Sequence, residues 1–111
     1  MITESIRLRQ IAFARSGDKG VNANIAIFAY TDVGYQFLKE KLTEKKVHLY
    51  FEALSPEKTV RFELPNLNAF NFVLYNVLDS LRTDSQGKAI GQALLEIELP
   101  IPEEKLSLCL R

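Results

Sequence analysis

The side chains best suited to chemistry lie together in one short stretch, ARSGDKGVNAN, at residues 14–24. It holds two cations, Arg15 and Lys19, one carboxylate, Asp18, and two glycines. Glycine adopts a positive φ without steric penalty, and successive backbone N–H groups in such a loop can form a concave anion-binding nest. Arginine can add a bidentate contact to the same anion, and lysine a point charge. This pattern is typical of a loop that binds a phosphorylated ligand.

A structural turn explains the same residues without any ligand. Asp18 would then cap the turn and pair with Arg15, while the asparagines satisfy backbone groups. A P-loop does not fit, because Lys19 precedes Gly20 and a strand follows, whereas the P-loop motif ends in G-K-[ST] and leads into a helix. Both interpretations stay open at this level. In the first one, the candidate ligand-binding residues are Arg15, Ser16, Gly17, Asp18, Lys19, Gly20 and Asn24.

Composition restricts the possible function classes. Fourteen basic and fourteen acidic side chains give no net charge, and no basic run carries interleaved aromatics, so we expect no nucleic-acid partner. Cys109 is the single cysteine and His48 the single histidine, which predicts no disulfide and no metal site. No motif identifies a cofactor. Residues 1–10 lack a signal peptide's apolar run, and no window approaches the ~18 apolar residues of a membrane span. We therefore expect a cytoplasmic protein without a membrane partner.

Two strands are predicted around the charged stretch. Residues 6–15 alternate between apolar and polar side chains, but the phase slips by one residue near Gln10, which is typical of a β-bulge. Residues 24–30 are apolar on both faces and predict a central strand.

Two helices are predicted next along the chain. Asp32 is the expected N-cap of the first helix, and Thr43 is that of the second. Ser55-Pro56 ends the second helix, because the residue before a proline avoids the helical region. Phe51 is expected in the core.

The second half of the chain contains further elements. TVRFELP alternates as a strand, with Val60, Phe62 and Leu64 expected to face the core. Residues 68–78 are apolar nearly all round and predict a buried helix, with Phe72 in the core and Asn66 or Asn68 as N-cap. SLRTD predicts a short strand, SQGK a turn, and ALLEIELP the last strand, while residues 89–93 fit either a strand or a helix.

Strands with one charged face and helices with one apolar stripe pack as two layers. We therefore expect a single α+β domain over residues 1–111. Its predicted fold is a two-layer, ferredoxin-like α/β sandwich, in which an antiparallel or mixed sheet of four to five strands carries its helices on one face.

Three separated signatures, ARSGDKGVNANI, ELPNLNAFNFVL and LRTDSQGKAIGQALL, together resemble the ferredoxin-fold domain at the C-terminus of the acyclic terpene utilisation protein AtuA and its relatives. The resemblance covers nearly the whole chain. It implies a metabolic setting among acyl-CoA carboxylases and other enzymes of terpenoid or branched-chain acyl-CoA degradation, without a particular reaction. The second and third signatures add four candidate ligand-binding residues, Asn66, Asn71, Arg82 and Lys88.

The expected function follows from both lines of reasoning. In AtuA relatives a large N-terminal domain precedes this one, so the resemblance implies a stand-alone version or a separately encoded subunit. The sequence shows no acid–base or nucleophile–base pair. We expect a non-catalytic subunit or assembly module, as a homo-oligomer or bound to a separately encoded large AtuA-type chain. The alternative is a small protein or enzyme that binds acyl-CoA or another phosphorylated anion.

Overall fold

The computed structural model describes residues 2–77 and 84–111, with only the backbone described for residues 84–88. The strands of this described part are β1 Thr3–Arg7, β2 Ala12–Lys19, β3 Asn22–Ala29, β4 Thr59–Leu64, β5 Ala69–Leu74 and β6 Glu98–Pro102. Its α-helices are α1 Asp32–Lys41, α2 Glu44–Tyr50, α3 Asp84–Leu94 and α4 Glu103–Cys109. Short 3-10 turns lie at Leu8–Gln10, Glu52–Leu54 and Pro65–Leu67.

Two antiparallel sheets organise these elements. Four strands form the main sheet in the order β2-β3-β5-β4, and β1 pairs with β6 in a separate two-stranded sheet. From β3 onward the chain follows the order strand, helices, strand, strand, helix, strand, which is the ferredoxin-like βαββαβ arrangement. The predicted ferredoxin-like α/β fold is confirmed. β3 has a strand neighbour on each side, as predicted for a central strand.

A bend at Leu8–Gln10 separates the two sheets. The phase slip in the predicted first strand is therefore not a bulge but a 3-10 turn, after which the chain enters the other sheet. The Leu8 backbone N–H donates to the Ile97 carbonyl oxygen at 3.0 Å, which ties this turn to the chain that leads into β6. The smaller sheet then runs in register as far as the pair Thr3 and Pro102.

The core lies between the main sheet and the helices. On β3 and β5, alternate side chains point toward the helices and are fully buried: Ile25, Ile27, Phe70, Phe72 and Leu74. α1 packs on this row through Tyr35, whose ring stacks on Phe70 with centroids 4.7 Å apart. Phe51 is buried at the end of α2, so the predicted core positions of Phe51 and Phe72 are both confirmed.

The buried helix predicted over residues 68–78 is wrong, because residues 69–74 form β5 instead. An apolar run of this kind does not distinguish a buried strand from a buried helix by periodicity. β5 pairs with β3 on one side and β4 on the other, so its outward side chains are partly covered as well. The expected N-cap at Asn66 or Asn68 is wrong for the same reason. A 3-10 turn precedes the strand here, and Asn68 leaves it with a left-handed φ of 52°.

β4 has the predicted alternation in the opposite orientation. The sequence predicts Phe62 and Leu64 in the core, but they are 48% and 38% exposed. Thr59, predicted to face outward, is buried. The predicted alternation of side chains along β4 is therefore confirmed, but the prediction of which side chains face the core is wrong.

Arg61 explains this orientation of β4, because its side chain reaches the helix layer and is only 14% exposed. Its Nη1 donates to the carbonyl oxygens of Lys39 and Leu42, at 3.0 and 2.9 Å, and so satisfies the C-terminal end of α1. Its Nη2 donates to Glu63 at 3.1 Å. A charged residue on the covered face is tolerated here because its N–H groups are bonded.

Threonine hydroxyls cap the N-termini of both helices that follow β3. Thr31 Oγ1 accepts from the Gly34 backbone N–H at 2.9 Å, so Thr31 is the N-cap of α1 and Asp32 is the first helical residue rather than the predicted cap. Thr43 Oγ1 accepts from the Lys46 N–H at 3.1 Å, which confirms the predicted cap of α2.

The C-terminal part differs from the prediction in its boundaries. SQGK lies inside α3 rather than in a turn, and residues 89–93 are helical. SLRTD, at residues 80–84, lies outside the described residues except for Asp84, where α3 begins. The last strand begins at Glu98, later than expected, and three apolar side chains of ALLEIELP are buried: Leu95, Ile97 and Leu99.

α4 closes the described chain and was not predicted. Thr31 Oγ1 donates to the Leu108 carbonyl oxygen at 2.8 Å, which fixes α4 beside the start of α1. Cys109 is fully buried in this contact. Burial raises the pKa of the Cys109 thiol above its ordinary value, and the thiolate that a nucleophile requires is disfavoured there.

The orientation of β4 and β5 can be tested with two phenylalanines that lie in neighbouring strands. Phe72→Ala should lower the free energy of unfolding by about 3–5 kcal/mol, because it opens a cavity in the core. Phe62→Ala should lower it by at most about 1 kcal/mol, because only a cross-strand contact on the exposed face is lost. Urea unfolding measures both. Equal losses would contradict the observed orientation of β4.

Candidate functional site

The stretch ARSGDKGVNAN forms the far half of the β2–β3 hairpin rather than a long loop. Lys19 pairs with Asn22, so Gly20 and Val21 alone connect the strands. Gly20 has a φ of 68°, and a positive φ at the first central residue alone is the sign pattern of a type II′ turn. Gly17 lies inside β2, where its φ is not positive. The predicted concave nest around Gly17 and Gly20 does not form, because Gly17 is extended and paired within β2, whereas a nest needs successive N–H groups in a turn or αR–αL conformation.

Pairing divides the charged residues of β2 between two faces of the sheet. Arg15 and Lys19 are exposed and point away from the helices, together with Gly17. Ser16 and Asp18 point to the opposite side, toward the helix layer, since successive residues of a strand alternate. In the alternative interpretation, the pairing of Asp18 with Arg15 is therefore wrong, whereas the role of the asparagines is confirmed at Asn22, whose Oδ1 accepts from the Asn76 backbone N–H at 2.8 Å.

Ser16 contacts α3 rather than the outer face. Its Oγ accepts from the Gly91 backbone N–H at 3.1 Å. A Cβ on Gly91 would lie 2.8 Å from Ser16 Cβ, so α3 approaches β2 closely because residue 91 has no side chain.

The remaining candidate residues are dispersed. Asn24 and Asn71 lie on the same outward face as Arg15, and Asn71 stands in the cross-strand row of Arg15. Asn66 is exposed in the 3-10 turn before β5, at the other end of the sheet. Arg82 lies outside the described residues, and Lys88 belongs to α3 by its backbone alone. Whether any of them binds a ligand stays a prediction.

Within residues 2–77 and 84–111, no helix covers one face of the main sheet, which we call the open face. Its cross-strand register places side chains from all four strands on one surface. Those residues are Phe13, Arg15, Gly17, Lys19, Asn22, Asn24, Ala26, Phe28, Tyr30, Lys58, Val60, Phe62, Leu64, Ala69, Asn71, Val73 and Tyr75.

The hairpin end of the open face is cationic. Lys19 and Lys58 stand at its two edges, and Arg15 lies four residues from Lys19 on β2, in the row next to Phe13. The Lys58 ammonium lies 4.8 Å from the centroid of the Tyr75 ring, a cation–π contact. None of the residues that define the open face is acidic, so these cations concentrate positive potential on a chain without net charge.

The opposite end of the open face is aromatic and apolar. The Phe13 and Phe28 rings stack with centroids 4.9 Å apart and an interplanar angle of 9°. Tyr30 lies beside them, with its ring centroid 5.9 Å from that of Phe13. Phe13 is 43% exposed, and Phe62 and Leu64 continue the apolar surface on the far strand. Large exposed side chains that adjoin one another mark interaction sites more often than scattered ones do.

His48 contacts a buried threonine hydroxyl. His48 Nδ1 lies 2.8 Å from Thr59 Oγ1, but Thr59 is buried and supports the start of β4. Across residues 2–77 and 84–111, no group of three His, Cys, Asp or Glu side chains could hold a metal ion. In the same residues, no helix is long and apolar enough to span a membrane.

Sequence reasoning missed several residues of the open face, notably Lys58, Phe62 and Tyr75. Lys58 and Lys19 are far apart in the chain, and only strand pairing places them in one row. The available signal was the alternation of TVRFELP, which was interpreted with the apolar side inward. No local feature of that strand indicates the opposite orientation, because it depends on the contacts of Arg61 with Lys39 and Leu42.

Fold and surface together define a class: a two-layer ferredoxin-like domain with an uncovered, cationic and aromatic sheet face. The family model of the AtuA ferredoxin-like domain matches residues 6–100. The chain therefore belongs to the AtuA ferredoxin-like domain family, which confirms the resemblance inferred from its three signatures. No curated protein and no solved structure matches it.

The close approach of α3 to β2 can be tested at Gly91, with Gly17 on the open face as the control. Gly91→Val should lower the free energy of unfolding by about 1–3 kcal/mol or more, because the added side chain overlaps Ser16. Gly17→Val is the control, since a Cβ there meets nothing nearer than the Asn24 oxygen at 3.8 Å. Thermal unfolding of both variants measures the difference. An unchanged melting temperature for Gly91→Val would show that α3 is not seated against β2.

Proposed function

We propose that the chain is a non-catalytic assembly module in acyclic terpene or acyl-CoA catabolism, and that it docks another polypeptide on its open face. The observation that carries this proposal is the exposure of Phe13, Phe62 and Leu64 on one continuous surface. Full burial of such a side chain contributes roughly 1.5–3 kcal/mol, so a partner that covers this surface gains stability from it. Family membership supports the metabolic setting.

Two partners fit this role: a second copy of the chain and a separately encoded large AtuA-type chain. Both would act in the cytoplasm. Neither requires the chain to carry out a reaction, which agrees with the absence of a nucleophile–base pair with an accessible nucleophile among the described residues.

The docking role predicts an effect in the native host. A strain that lacks the gene should grow poorly on an acyclic terpenoid as carbon source, and the wild-type gene should restore growth. Phe62→Arg should not restore it, because it replaces an exposed apolar side chain of the docking surface with a further cation on a face that has no acidic residue. Leu49→Arg is the matched control, since Leu49 is 54% exposed on α2, in the helix layer.

Circular dichroism of both variants checks that they fold. Restoration of growth by Phe62→Arg would refute docking through the open face. Normal growth of the deletion strain on acyclic terpenoids and on branched-chain acids would refute the catabolic setting.

A second candidate function, binding of an acyl-CoA or another phosphorylated metabolite, is favoured by the cationic end of the open face. Arg15 and Lys19 are exposed, and no carboxylate among the described residues pairs with them. Phosphate groups could therefore approach both side chains without displacing an ion pair.

Calorimetric titration with CoA and acyl-CoA thioesters tests this second candidate. Arg15→Ala and Lys19→Ala should each weaken binding at least several-fold and change the free energy of unfolding by no more than about 0.5 kcal/mol. Lys45→Ala, an exposed lysine of α2, is the control and should leave binding intact. No heat of binding at millimolar ligand, with the chain folded, would exclude the candidate.

A further inference from the structure

The open face carries cations at both of its ends. Lys19 and Lys58 stand in one row at the hairpin end, at opposite edges of the sheet. Arg15 lies nearer the aromatic end, where the Arg111 guanidinium lies 5.6 Å from the centroid of the Tyr30 ring. The open face has no acidic residue, and within residues 2–77 and 84–111 no carboxylate forms an ion pair with these cations. Positive charge therefore extends over the whole face.

This charge distinguishes between the partners that fit the docking role. A two-fold interface between copies uses the same patch on both sides, so a second copy would bring a further set of cations and no carboxylate. Like charges that meet at an interface oppose association. A partner that complements the open face has to bring anionic groups of its own.

The spacing of the cations matches several anionic groups rather than one. Neighbouring strands lie ~4.8 Å apart, so the backbones at Lys19 and Lys58 are separated by roughly 14 Å. Arg15 lies four residues from Lys19 along β2, which corresponds to about 13 Å. Because the Lys58 ammonium is held over the Tyr75 ring, a single carboxylate or phosphate does not span these positions. Anionic groups that are spaced along an extended molecule do span them.

The same molecule has to supply apolar groups. Phe13, Phe62 and Leu64 are exposed on the face that carries the cations. An occupant with anionic groups alone would leave these side chains without apolar contacts, and the burial of apolar surface is the main source of affinity at such a surface. An acidic polypeptide segment that also carries apolar side chains meets both requirements.

The aromatic rings are less suited to nucleic-acid bases. A base stacks on a free ring face, but Phe13 and Phe28 lie with an interplanar angle of 9° and centroids 4.9 Å apart, so each covers one face of the other. Cations lie over the rings of Tyr30 and Tyr75. Each of these rings thus has one face covered within the chain, which favours contacts with apolar side chains over base stacking.

The centre of the open face favours a polypeptide over an anionic membrane. Asn24 and Asn71 lie on the two central strands, in adjacent rows between the lysines and the aromatic end. A side-chain amide that becomes buried needs hydrogen-bond donors and acceptors. A polypeptide backbone supplies both, whereas the hydrocarbon chains of a lipid supply neither.

We propose that the occupant of the open face is an acidic segment of a different polypeptide. Its carboxylates pair with Arg15, Lys19 and Lys58, and its apolar side chains cover Phe13 and Phe62. This inference rests on the docking role proposed for the open face, and it adds the chemistry of the partner.

Photo-cross-linking in the native host tests the identity of the occupant. The photoreactive residue p-benzoylphenylalanine replaces Phe62 in one strain and Leu49, on α2, in a control strain. Irradiation should link the chain to another protein through position 62 and not through position 49. Mass spectrometry of the digested product should place the link in a segment with more aspartate and glutamate than lysine and arginine. A link to this chain alone, a segment without that acidic excess, or no link at position 62 would overturn the inference.

Charge reversal tests the role of the cations. Arg15→Glu, added to the chain with the photoreactive residue at position 62, should reduce the linked product at least several-fold, because carboxylates would then face carboxylates. Lys45→Glu reverses an exposed lysine of α2 and should leave the yield unchanged. Circular dichroism checks that both variants fold. Equal yields from the two variants would show that the cations do not recognise the partner.

Purified probes test the other macromolecules. The wild-type chain is mixed with vesicles of phosphatidylserine and phosphatidylcholine, and separately with a fluorescent oligouridylate. We expect neither probe to bind in a way that both Arg15→Glu and Phe62→Arg abolish. Binding of that kind, to either probe, would assign the open face to a membrane or to a nucleic acid and overturn the acidic polypeptide.

Growth of the complemented deletion strain separates this inference from the proposed function. If Phe62→Arg fails to restore growth but Arg15→Glu restores it, docking through the open face stands and the acidic partner is wrong. If an acidic segment is captured and Phe62→Arg restores growth, the chemistry of the partner is right and the proposed role in catabolism is wrong.

Discussion

The guanidinium of Arg61 fixes which face of β4 joins the open side of the main sheet. It lies between β4 and the end of α1, where it bonds two helix carbonyl oxygens and one carboxylate. Because residues alternate along a strand, a side chain held on the helix side sends its neighbours to the other side. Phe62 is therefore exposed, and the outer surface of β4 is apolar although its inner surface carries charge. Without this arginine the alternation of β4 would favour the reverse orientation.

The alternation of the strands and the fold class could be predicted from the sequence, whereas the orientation of β4 could not. The alternation of TVRFELP predicted a strand, and the threonine before the second helix predicted its cap. Which face of β4 is buried depends on contacts with residues about twenty positions away, such as Lys39 and Leu42, and no local pattern contains them. The prediction of a helix at residues 69–74 was wrong for a related reason. A strand that is paired on both sides loses the alternation that distinguishes it from a helix.

The candidate site shows the same division between local and long-range information. Composition alone identified Arg15 and Lys19 as unusual, but it suggested a loop, because charged and glycine-rich stretches most often connect elements. Strand register showed instead that they share a surface with Lys58 and with aromatic side chains from other strands. A surface of this kind consists of single residues on separate strands, so no contiguous sequence motif predicts it. The family signatures therefore include both residues of the surface and residues that hold the fold, such as Ser16.

The two-stranded sheet has a consequence for how this fold can be joined to other chains. Thr3 and Pro102 are paired, and the Glu103 N–H donates to the Ile2 carbonyl oxygen at 2.9 Å. A polypeptide that enters at β1 and leaves after β6 thus does so through adjacent points. Fusion or insertion at these points needs no connecting segment that crosses the molecule. α4, which follows β6 and packs beside the start of α1, has to stay with the domain in any such fusion.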